Sequence, residues 1–279
     1  MKLYAISDLH LNHKTNWQTL LNLPQYPEDW LIIAGDVADT IVQFAQAMVV
    51  LSERFAKVFW TPGNHDLWTL PTDKLSKQGV HKYNQLIAIC RKCGVLTPED
   101  DFVQWAGEGQ AYWIAPTFTL YDYSFRPDTV SFANALTWAR ETNVECTDEI
   151  VLHSYPFASK AEWCAARCQY TENRLQAIKG DVPIILINHF PLRYDLVNLR
   201  MIPRFSLWCG TKLTELWHSQ FQLDTVIYGH LHIRGTYQRD QTQFMEVSQG
   251  YPQNWDTKRG TAAYLRQILP KPISNRIET

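Results

Sequence analysis

Five short apolar runs in this sequence are each followed at once by residues that bind metal ions or transfer protons. The runs are KLYAIS, WLIIA, KVFWTP, PIILI and TVIY. The polar residues that follow them are, in chain order, Asp8 and His10, Asp36, the triplet Asn64, His65 and Asp66, His189, and His230 with His232. If the runs are strands of α/β sheets, their carboxyl ends direct these side chains into one volume. The sequence therefore predicts a single site rich in carboxylate, amide and imidazole groups.

The number and type of these groups indicate a pair of metal ions. Two aspartates, one asparagine and four histidines exceed the ligand set of one tetrahedral zinc ion. Mixed nitrogen and oxygen ligands suit two five- or six-coordinate divalent ions, for which manganese or iron is the first expectation, with zinc also acceptable. Ions about 3.5–4 Å apart that share a carboxylate clamp phosphoryl groups and acidify a bound water. The predicted chemistry is attack of a bridging hydroxide on a phosphate ester.

Each motif taken alone also has a purely structural explanation. A single aspartate at a strand end is usually a helix cap or a turn residue. Caps do not require histidine, however, and five clusters after five apolar runs favour the metal site. A four-thiolate zinc site made by Cys90, Cys93, Cys164 and Cys168 is a weaker interpretation. Both cysteine pairs lie in helix-like sequence, where small thiols pack well.

Strands and helices alternate in the pattern of an α/β protein. Runs that suit strands covered on both faces lie at 2–7, 30–35, 57–63, 183–188 and 225–229. Helices are predicted at 40–56, near 80–93, at 131–141 and at 159–179, with one more strand at 111–116. GTYQR and QFMEVSQG are predicted to be antiparallel strands of a second sheet. We interpret residues 1–279 as a single domain in which 68–182 is an elaborated insertion.

Composition excludes several classes of function. The 279 residues are 46% hydrophobic, so the chain is not mainly disordered. A net charge of −2 provides no basic field for long nucleic acid. The N-terminal MKLYAISDLH is not a signal peptide, and no apolar stretch of about 18 residues offers a membrane span. We expect a cytoplasmic protein with reduced cysteines and no membrane partner, while the oligomeric state cannot be predicted.

The chain resembles the calcineurin-like metallophosphoesterases in five motifs that follow one another from residue 8 to residue 232. These are D-x-H, G-D, G-N-H-D, N-H and G-H-x-H. The resemblance implies an α/β fold, a four-layer αββα sandwich of two mixed β-sheets flanked by helices. It also implies a dinuclear metal site and a metal-dependent phosphoric ester hydrolase.

The resemblance further implies a role for each motif residue. One ion would be held by Asp8, His10, Asp36 and His232. The other would be held by Asp36, Asn64, His189 and His230, so that Asp36 bridges the two ions. His65 would be the catalytic histidine beside the ions, oriented by Asp66. Asp39 would support its loop rather than bind metal.

Residues close to the motifs are candidates for substrate binding. They are Tyr121 and Tyr123 in the aromatic loop LYDYSF, then Arg193, Trp208 and Arg234. Arg193 is preferred because it lies four residues from His189, and Arg234 follows the last motif closely enough to pair with a phosphate. For each of the five, ordinary packing or a surface ion pair is an equal alternative.

Longer phrases resemble the bacterial phosphopantetheinyl hydrolase branch of the same family. They include WLIIAGDVAD, NHFPL, FSLWCGT and EVSQGYP. That branch removes 4′-phosphopantetheine from carrier-protein serines, which implies a carrier-protein partner. A nucleotide or cyclic-nucleotide phosphodiesterase, or a phosphomonoesterase, is the alternative with the same chemistry. A non-catalytic interaction scaffold is a second alternative, although a scaffold is expected to have lost ligands and none is missing here.

Overall fold

Two mixed β-sheets form the centre of the protein, for which a computed structural model describes residues 1–271. Sheet 1 consists of β1 (Leu3–Ile6), β2 (Tyr26–Ile33), β3 (Phe55–Trp60) and β10 (Arg266–Leu269). Its order is β10-β1-β2-β3, with the first three strands of the chain parallel and β10 antiparallel to β1. Three parallel carboxyl ends therefore lie at the same edge of sheet 1.

Sheet 2 contains six strands in the order β4-β5-β6-β7-β9-β8. Their bounds are β4 (Val103–Gln104), β5 (Trp113–Pro116), β6 (Ile184–Ile187), β7 (Leu223–Tyr228), β8 (Gly235–Arg239) and β9 (Thr242–Glu246). The four central strands are parallel, and β4 and β8 pair antiparallel at the two edges. The predicted antiparallel pair GTYQR and QFMEVSQG is confirmed as β8 and β9.

The two sheets face each other across an apolar core. Leu3 and Ile32 of sheet 1 and Ile185 of sheet 2 are fully buried in this layer. Because side chains alternate along a strand, Leu31 and Ile33 point to the opposite face and join a second core shared with the helices. Burial on both faces explains why these strands are continuous apolar runs.

Helices cover the outer faces of the sheets. They are α1 (Lys14–Leu21), α2 (Ile41–Arg54), α3 (Asn64–Leu67), α4 (Gly79–Lys92), α5 (Ala135–Arg140), α6 (Asp148–Val151), α7 (Lys160–Gln176) and α8 (Trp217–Gln220). In α2, Ile41, Phe44, Met48 and Leu51 form the buried stripe, and the Thr40 side chain caps the first turn. The prediction of two mixed sheets flanked by helices is confirmed.

The interval 68–182 contributes to the main architecture and is not detached from it. Its strand β5 pairs in parallel with β6, and its helix α4 packs against α2. These contacts support the proposal that the interval is an insertion within one domain. Within residues 1–271, no helix is both long and apolar enough to cross a membrane. The cytoplasmic location stays a prediction.

Candidate metal centre

The predicted ligands lie at the carboxyl ends of five strands, three from sheet 1 and two from sheet 2. Asp8 and His10 follow β1, Asp36 follows β2, and Asn64 begins α3 shortly after β3. The other three ligands of this edge are His189 after β6 and His230 with His232 after β7. An isolated β-bridge between Ser7 and Ser248 joins the end of β1 in sheet 1 to the end of β9 in sheet 2. The ligands that follow the strands of the two sheets therefore lie close together.

Three of these side chains form a first triad. Asp8, His10 and His232 offer ligand atoms that all lie within 4.8 Å of one another. His232 Nε2 is 3.1 Å from Asp8 Oδ1 and 3.1 Å from His10 Nε2. Two imidazole nitrogens at this separation, beside a carboxylate oxygen, are arranged to share one cation.

A second triad consists of Asp36, His189 and His230. His189 Nε2 lies 3.4 Å from Asp36 Oδ2, and the same oxygen lies 4.0 Å from His10 Nε2 of the first triad. Asp36 therefore stands between the triads, in the position of a bridging ligand. Burial opposes its charge, but the neighbouring imidazole of His189 holds the pKa of Asp36 well below its usual range.

Unpartnered atoms show that these residues fit metal ions. His230 Nε2, His189 Nε2 and Asn64 Oδ1 are buried and have no hydrogen-bond partner in the described part of the chain. His189 Nδ1 donates to the Ala34 carbonyl at 2.8 Å, which leaves the lone pair of Nε2 for a cation. Burial lowers the pKa of His230 to about 3, so its imidazole is neutral and able to ligate. Buried polar atoms without partners are costly unless an ion satisfies them.

The backbone at the ligands is held in an uncommon conformation. Asp8, His10, Asp36, His230 and His232 all have positive φ, between 41° and 71°. Positive φ is unfavourable for residues other than glycine, and such backbone strain concentrates at functional sites. The surrounding structure thus holds the backbone of five of the seven predicted ligands in a strained conformation at the site.

Two glycines allow the motif loops to approach one another closely. A Cβ atom at Gly63 would lie 2.0 Å from Asp36 Oδ1. A Cβ atom at Gly229 would lie 2.0 Å from Ser7 Oγ and 2.2 Å from Asp8 Oδ2. Any larger residue at either position would displace a ligand carboxylate.

His65 lies beside the second triad, and its partner differs from the one expected. Its Nδ1 atom is hydrogen bonded to Asp39 Oδ1 at 3.0 Å, and its backbone N–H donates to Asp36 Oδ1 at 2.9 Å. Burial opposes protonation, but the carboxylates of Asp36 and Asp39 raise the pKa of His65 to about 9. Asp39 therefore orients the imidazole, which corrects the expectation that Asp66 does so.

Asp66 instead holds the loop that carries Asp36. Its carboxylate accepts hydrogen bonds from the backbone N–H groups of Asp36, Val37, Ala38 and Gly63, at 2.8–3.2 Å. Burial and the charge of Asp36 raise the pKa of Asp66 to about 7. Its contacts make it a structural support for the bridging ligand rather than a partner of the imidazole.

A cavity of about 310 Å³ opens above the ligands. Its floor contains Asp36, Asn64 and the partly buried imidazoles of His65, His230 and His232. The rest of the lining is mostly apolar, with Glu145 and Thr147 as its polar members, and its other residues are Trp68, Cys146, Leu199, Ile202, Phe205, Leu231 and Tyr251. The site therefore combines a strongly polar floor with a surface suited to an alkyl or amide chain.

Two aromatic rings of this cavity pack directly on the imidazoles. The Tyr251 ring stacks on His10 at 4.2 Å, and its hydroxyl lies 3.4 Å from His65 Nε2. The Trp68 ring lies 3.6 Å from the His65 ring on another side. His65 is thus enclosed by an indole, a phenol and a carboxylate.

None of the five predicted substrate contacts lines this cavity. Arg193 pairs with Asp195 at 2.8 Å. Arg234 donates to the carbonyls of Val247, Ser248 and Tyr264. Tyr121 is fully buried, and Tyr123 and Trp208 both donate to Glu149 Oε1. The polar groups of four of these residues are thus used in internal contacts, and contact of any of the five with substrate stays a prediction that this cavity does not support.

Sequence patterns gave little indication of the residues that do line the cavity. Trp68 lies one turn after Asn64, so its proximity to the motif was the available signal. Tyr251 lies in the phrase EVSQGYP, to which no chemistry was assigned. The cysteine pairs are free thiols, and they do not form a metal-capable group in residues 1–271.

Comparison with known proteins agrees with this geometry. The calcineurin-like phosphoesterase family model matches residues 1–234. The [acyl-carrier-protein] phosphodiesterase PptH of Mycobacterium tuberculosis is 43% identical over 272 residues, which cover 97% of this chain and 84% of that protein. The crystal structure of the phosphopantetheinyl hydrolase PptH from Mycobacterium tuberculosis superposes with a TM-score of 0.92 and 42% identity, covering 97% and 96% of the two chains. The chain belongs to the calcineurin-like phosphoesterase family and is a metal-dependent phosphoesterase.

Proposed function

We propose that the protein is a dinuclear-metal phosphodiesterase that removes 4′-phosphopantetheine from carrier proteins. The observation that carries the proposal is the pair of carboxylate and imidazole triads beneath an apolar wall in one cavity. The similar protein from Mycobacterium tuberculosis is named as an acyl-carrier-protein phosphodiesterase. Identity across nearly the whole chain supports the same substrate class here.

The motif residues divide between two cation positions in this proposal. One position would be held by Asp8, His10, Asp36 and His232, and the other by Asp36, Asn64, His189 and His230. Bound divalent ions, for which we propose manganese or iron, supply an activated water and neutralise charge on the phosphoryl oxygens. The two ligand aspartates leave the site with a net positive charge, which attracts the anionic diester.

We assign His65 the transfer of a proton to the leaving group. Hydrolysis breaks the bond between phosphorus and the serine oxygen of the carrier protein, and that oxygen must gain a proton as it leaves. Nδ1 of His65 is engaged by Asp39, so Nε2 is the atom that faces the cavity and donates. The products are the unmodified serine and free 4′-phosphopantetheine.

The apolar wall suits the pantetheine arm, which is a chain of methylene, methyl and amide groups. Leu199, Ile202 and Phe205 lie on the segment after β6 and form one side of the cavity. Ile202 is 46% exposed, so this side continues from the cavity to the protein surface. An arm attached to a protein could therefore enter along it with its phosphate at the floor.

An activity panel tests the proposal. Protein reconstituted with Mn²⁺, Fe²⁺ or Zn²⁺ is incubated with holo-carrier protein, and the intact mass of the carrier protein is expected to fall by the mass of phosphopantetheine less one water. Bis-p-nitrophenyl phosphate, p-nitrophenyl phosphate and cyclic nucleotides are tested in parallel, with Asp36→Asn as the inactive control. Preference for a nucleotide would overturn the substrate assignment, and turnover of none of these substrates with any of the metals would favour the scaffold.

A further inference from the structure

A buried carboxylate outside the family motifs contacts two parts of the metal centre at once. Asp148, the first residue of α6, is fully buried. Its Oδ1 atom accepts a hydrogen bond from Asn64 Nδ2 at 3.0 Å and another from Trp68 Nε1 at 2.6 Å. A carboxylate removed from water is costly unless strong hydrogen bonds compensate it. Both donors act on Oδ1, while Oδ2 is buried without a hydrogen-bond partner among the described residues, so the contacts with Asn64 and Trp68 are the hydrogen bonds that hold this side chain.

The first contact determines which way the Asn64 amide points. An amide group has one side that accepts and one side that donates, and the two are nearly equal in shape. Since Nδ2 donates to Asp148, Oδ1 is the atom turned away from it. Asn64 Oδ1 is buried without a hydrogen-bond partner in the described residues, and Asn64 lines the same cavity as Asp36 and His230. The carboxylate therefore presents the ligand-type oxygen of the amide to the site.

The second contact reaches His65 through Trp68. The indole N–H is held by Asp148, and the indole ring lies 3.6 Å from the His65 ring at an interplanar angle of 32°. Asp39 holds the Nδ1 edge of the imidazole. A ring fixed on both sides loses little orientational freedom when substrate binds, which favours proton transfer in one geometry.

We propose that Asp148 is a positioning residue that fixes the Asn64 amide for metal binding and the Trp68 indole against His65. The inference rests on the proposed function, because it assigns Asn64 to a cation and His65 to the leaving group. Asp148 is not among the residues that line the cavity, so it acts through Asn64 and Trp68. It lies in the 68–182 interval, so this insertion supports the centre that the strand ends form.

Metal affinity measured without substrate tests the first half of the proposal. Mn²⁺ binding to metal-free protein is followed by calorimetry for wild type, Asp148→Ala and Asp148→Asn. Loss of an outer hydrogen bond to a ligand typically weakens metal binding by about 10–100-fold. We expect that loss at one of two sites in D148A and a smaller loss in D148N, whose side-chain oxygen can still accept both hydrogen bonds.

The next residue on the same helix provides the matched control. Glu149 is bonded to Tyr123 and Trp208 and contacts neither Asn64 nor Trp68 among the described residues. Glu149→Gln should bind both Mn²⁺ ions as wild type does. In an Asn64→Ala background, D148A should reduce Mn²⁺ affinity little further, because Asp148 acts on the metal site through the Asn64 amide, which that background lacks. Equal Mn²⁺ affinity in wild type and D148A, or full additivity with Asn64→Ala, would overturn the proposal.

A measurement on the wild-type protein covers the case in which D148A does not fold. The NMR resonance of the Trp68 indole N–H is assigned by its loss in Trp68→Phe. This proton should exchange slowly with solvent because the N–H donates to the buried carboxylate of Asp148. Exchange as fast as that of an exposed indole would contradict the second half of the proposal. If wild type binds no Mn²⁺ at all, the proposed function fails instead, and the two failures are distinguishable.

Discussion

His65 Nδ1 lies 3.0 Å from Asp39 Oδ1, so Asp39 is the carboxylate that holds this imidazole beside the two triads. Asp39 follows the bridging ligand Asp36 by three residues, on the loop after β2. The hydrogen bond fixes the ring and leaves Nε2, which lies 3.4 Å from the Tyr251 hydroxyl, as the nitrogen that can donate a proton to substrate. It also raises the pKa of the imidazole, so the acid form is favoured near neutral pH.

Asp39→Asn should shift the alkaline limb of the pH–rate profile. Activity that needs protonated His65 is lost as pH rises through the pKa of that residue. Because the Asp39 carboxylate raises this pKa, its removal lowers it, and the limb moves to lower pH. The measurement is kcat against pH for bis-p-nitrophenyl phosphate. A limb at the wild-type position in D39N would show that another group is the acid.

His65→Ala should keep both metals and lose turnover. His65 also lies close enough to His10 and Asp36 for the three to hold an ion, but in the proposed assignment His10 and Asp36 are ligands and His65 is not, so all seven proposed ligands remain. Loss of a positioned general acid lowers the rate by about 10²–10⁴-fold. Elemental analysis of the purified variant and kcat on the diester check the two parts. Near-normal turnover in H65A would refute the assigned role.

His230→Ala and His232→Ala should each damage a different ion. His232 belongs to the triad with Asp8 and His10, and His230 belongs to the triad with Asp36 and His189. Mn²⁺ electron paramagnetic resonance distinguishes a coupled pair from a single ion. We expect the coupled signal in wild type and an isolated Mn²⁺ signal in each variant. Two bound, coupled ions in either variant would contradict the assignment.

The positions of the proposed metal ligands were predictable because each lies within four residues of the end of an apolar strand. A buried strand is recognisable in the sequence as an apolar run, and the first polar residue after it lies at the carboxyl end of the strand, at the edge of the sheet. The residues around the ligands were not predictable in this way. Asp148 meets Asn64 across 84 positions, and Tyr251 reaches His10 from beyond β9. Such contacts depend on how loops pack, which no local spacing encodes.

The same limit explains why Asp66 was expected to orient His65 and why Arg234 was expected to pair with a phosphate. Asp66 and Asp39 are both close to the motifs in sequence, and spacing alone does not indicate which carboxylate reaches His65. The choice is made by the first turn of α3, where Asp66 turns back to the backbone N–H groups of the Asp36 loop. Arg234, likewise, has carbonyl partners that come from the strand end after β9 and from Tyr264.

A buried lysine should make stability depend on alkaline pH. Lys82 on α4 is 1% exposed, and burial lowers its pKa to about 8. Between this value and the ordinary lysine pKa of about 10.4, the unfolded chain binds more protons than the folded one. The free energy of unfolding contributed by Lys82 therefore rises with pH in that window. Urea unfolding of wild type and Lys82→Met should differ in slope there, and parallel curves would contradict the shift.

Ile202→Glu should separate the carrier-protein substrate from a small diester. Ile202 lines the cavity and is 46% exposed, so it lies where an arm attached to a protein must pass. A carboxylate there removes an apolar contact and places an ionised group against the uncharged arm, which opposes its burial. We expect KM for holo-carrier protein to rise about tenfold, which corresponds to about 1.4 kcal/mol, and little change for bis-p-nitrophenyl phosphate.

The control for this variant is Val49→Glu on α2, a position of matched exposure at 45% that does not line the cavity. Its kinetics with both substrates should equal those of wild type. Equal losses with both substrates in I202E would indicate a disturbed site rather than a lost contact with the arm. No loss with either would show that the arm takes another path, because a charge on the wall cannot be neutral to an apolar chain packed against it.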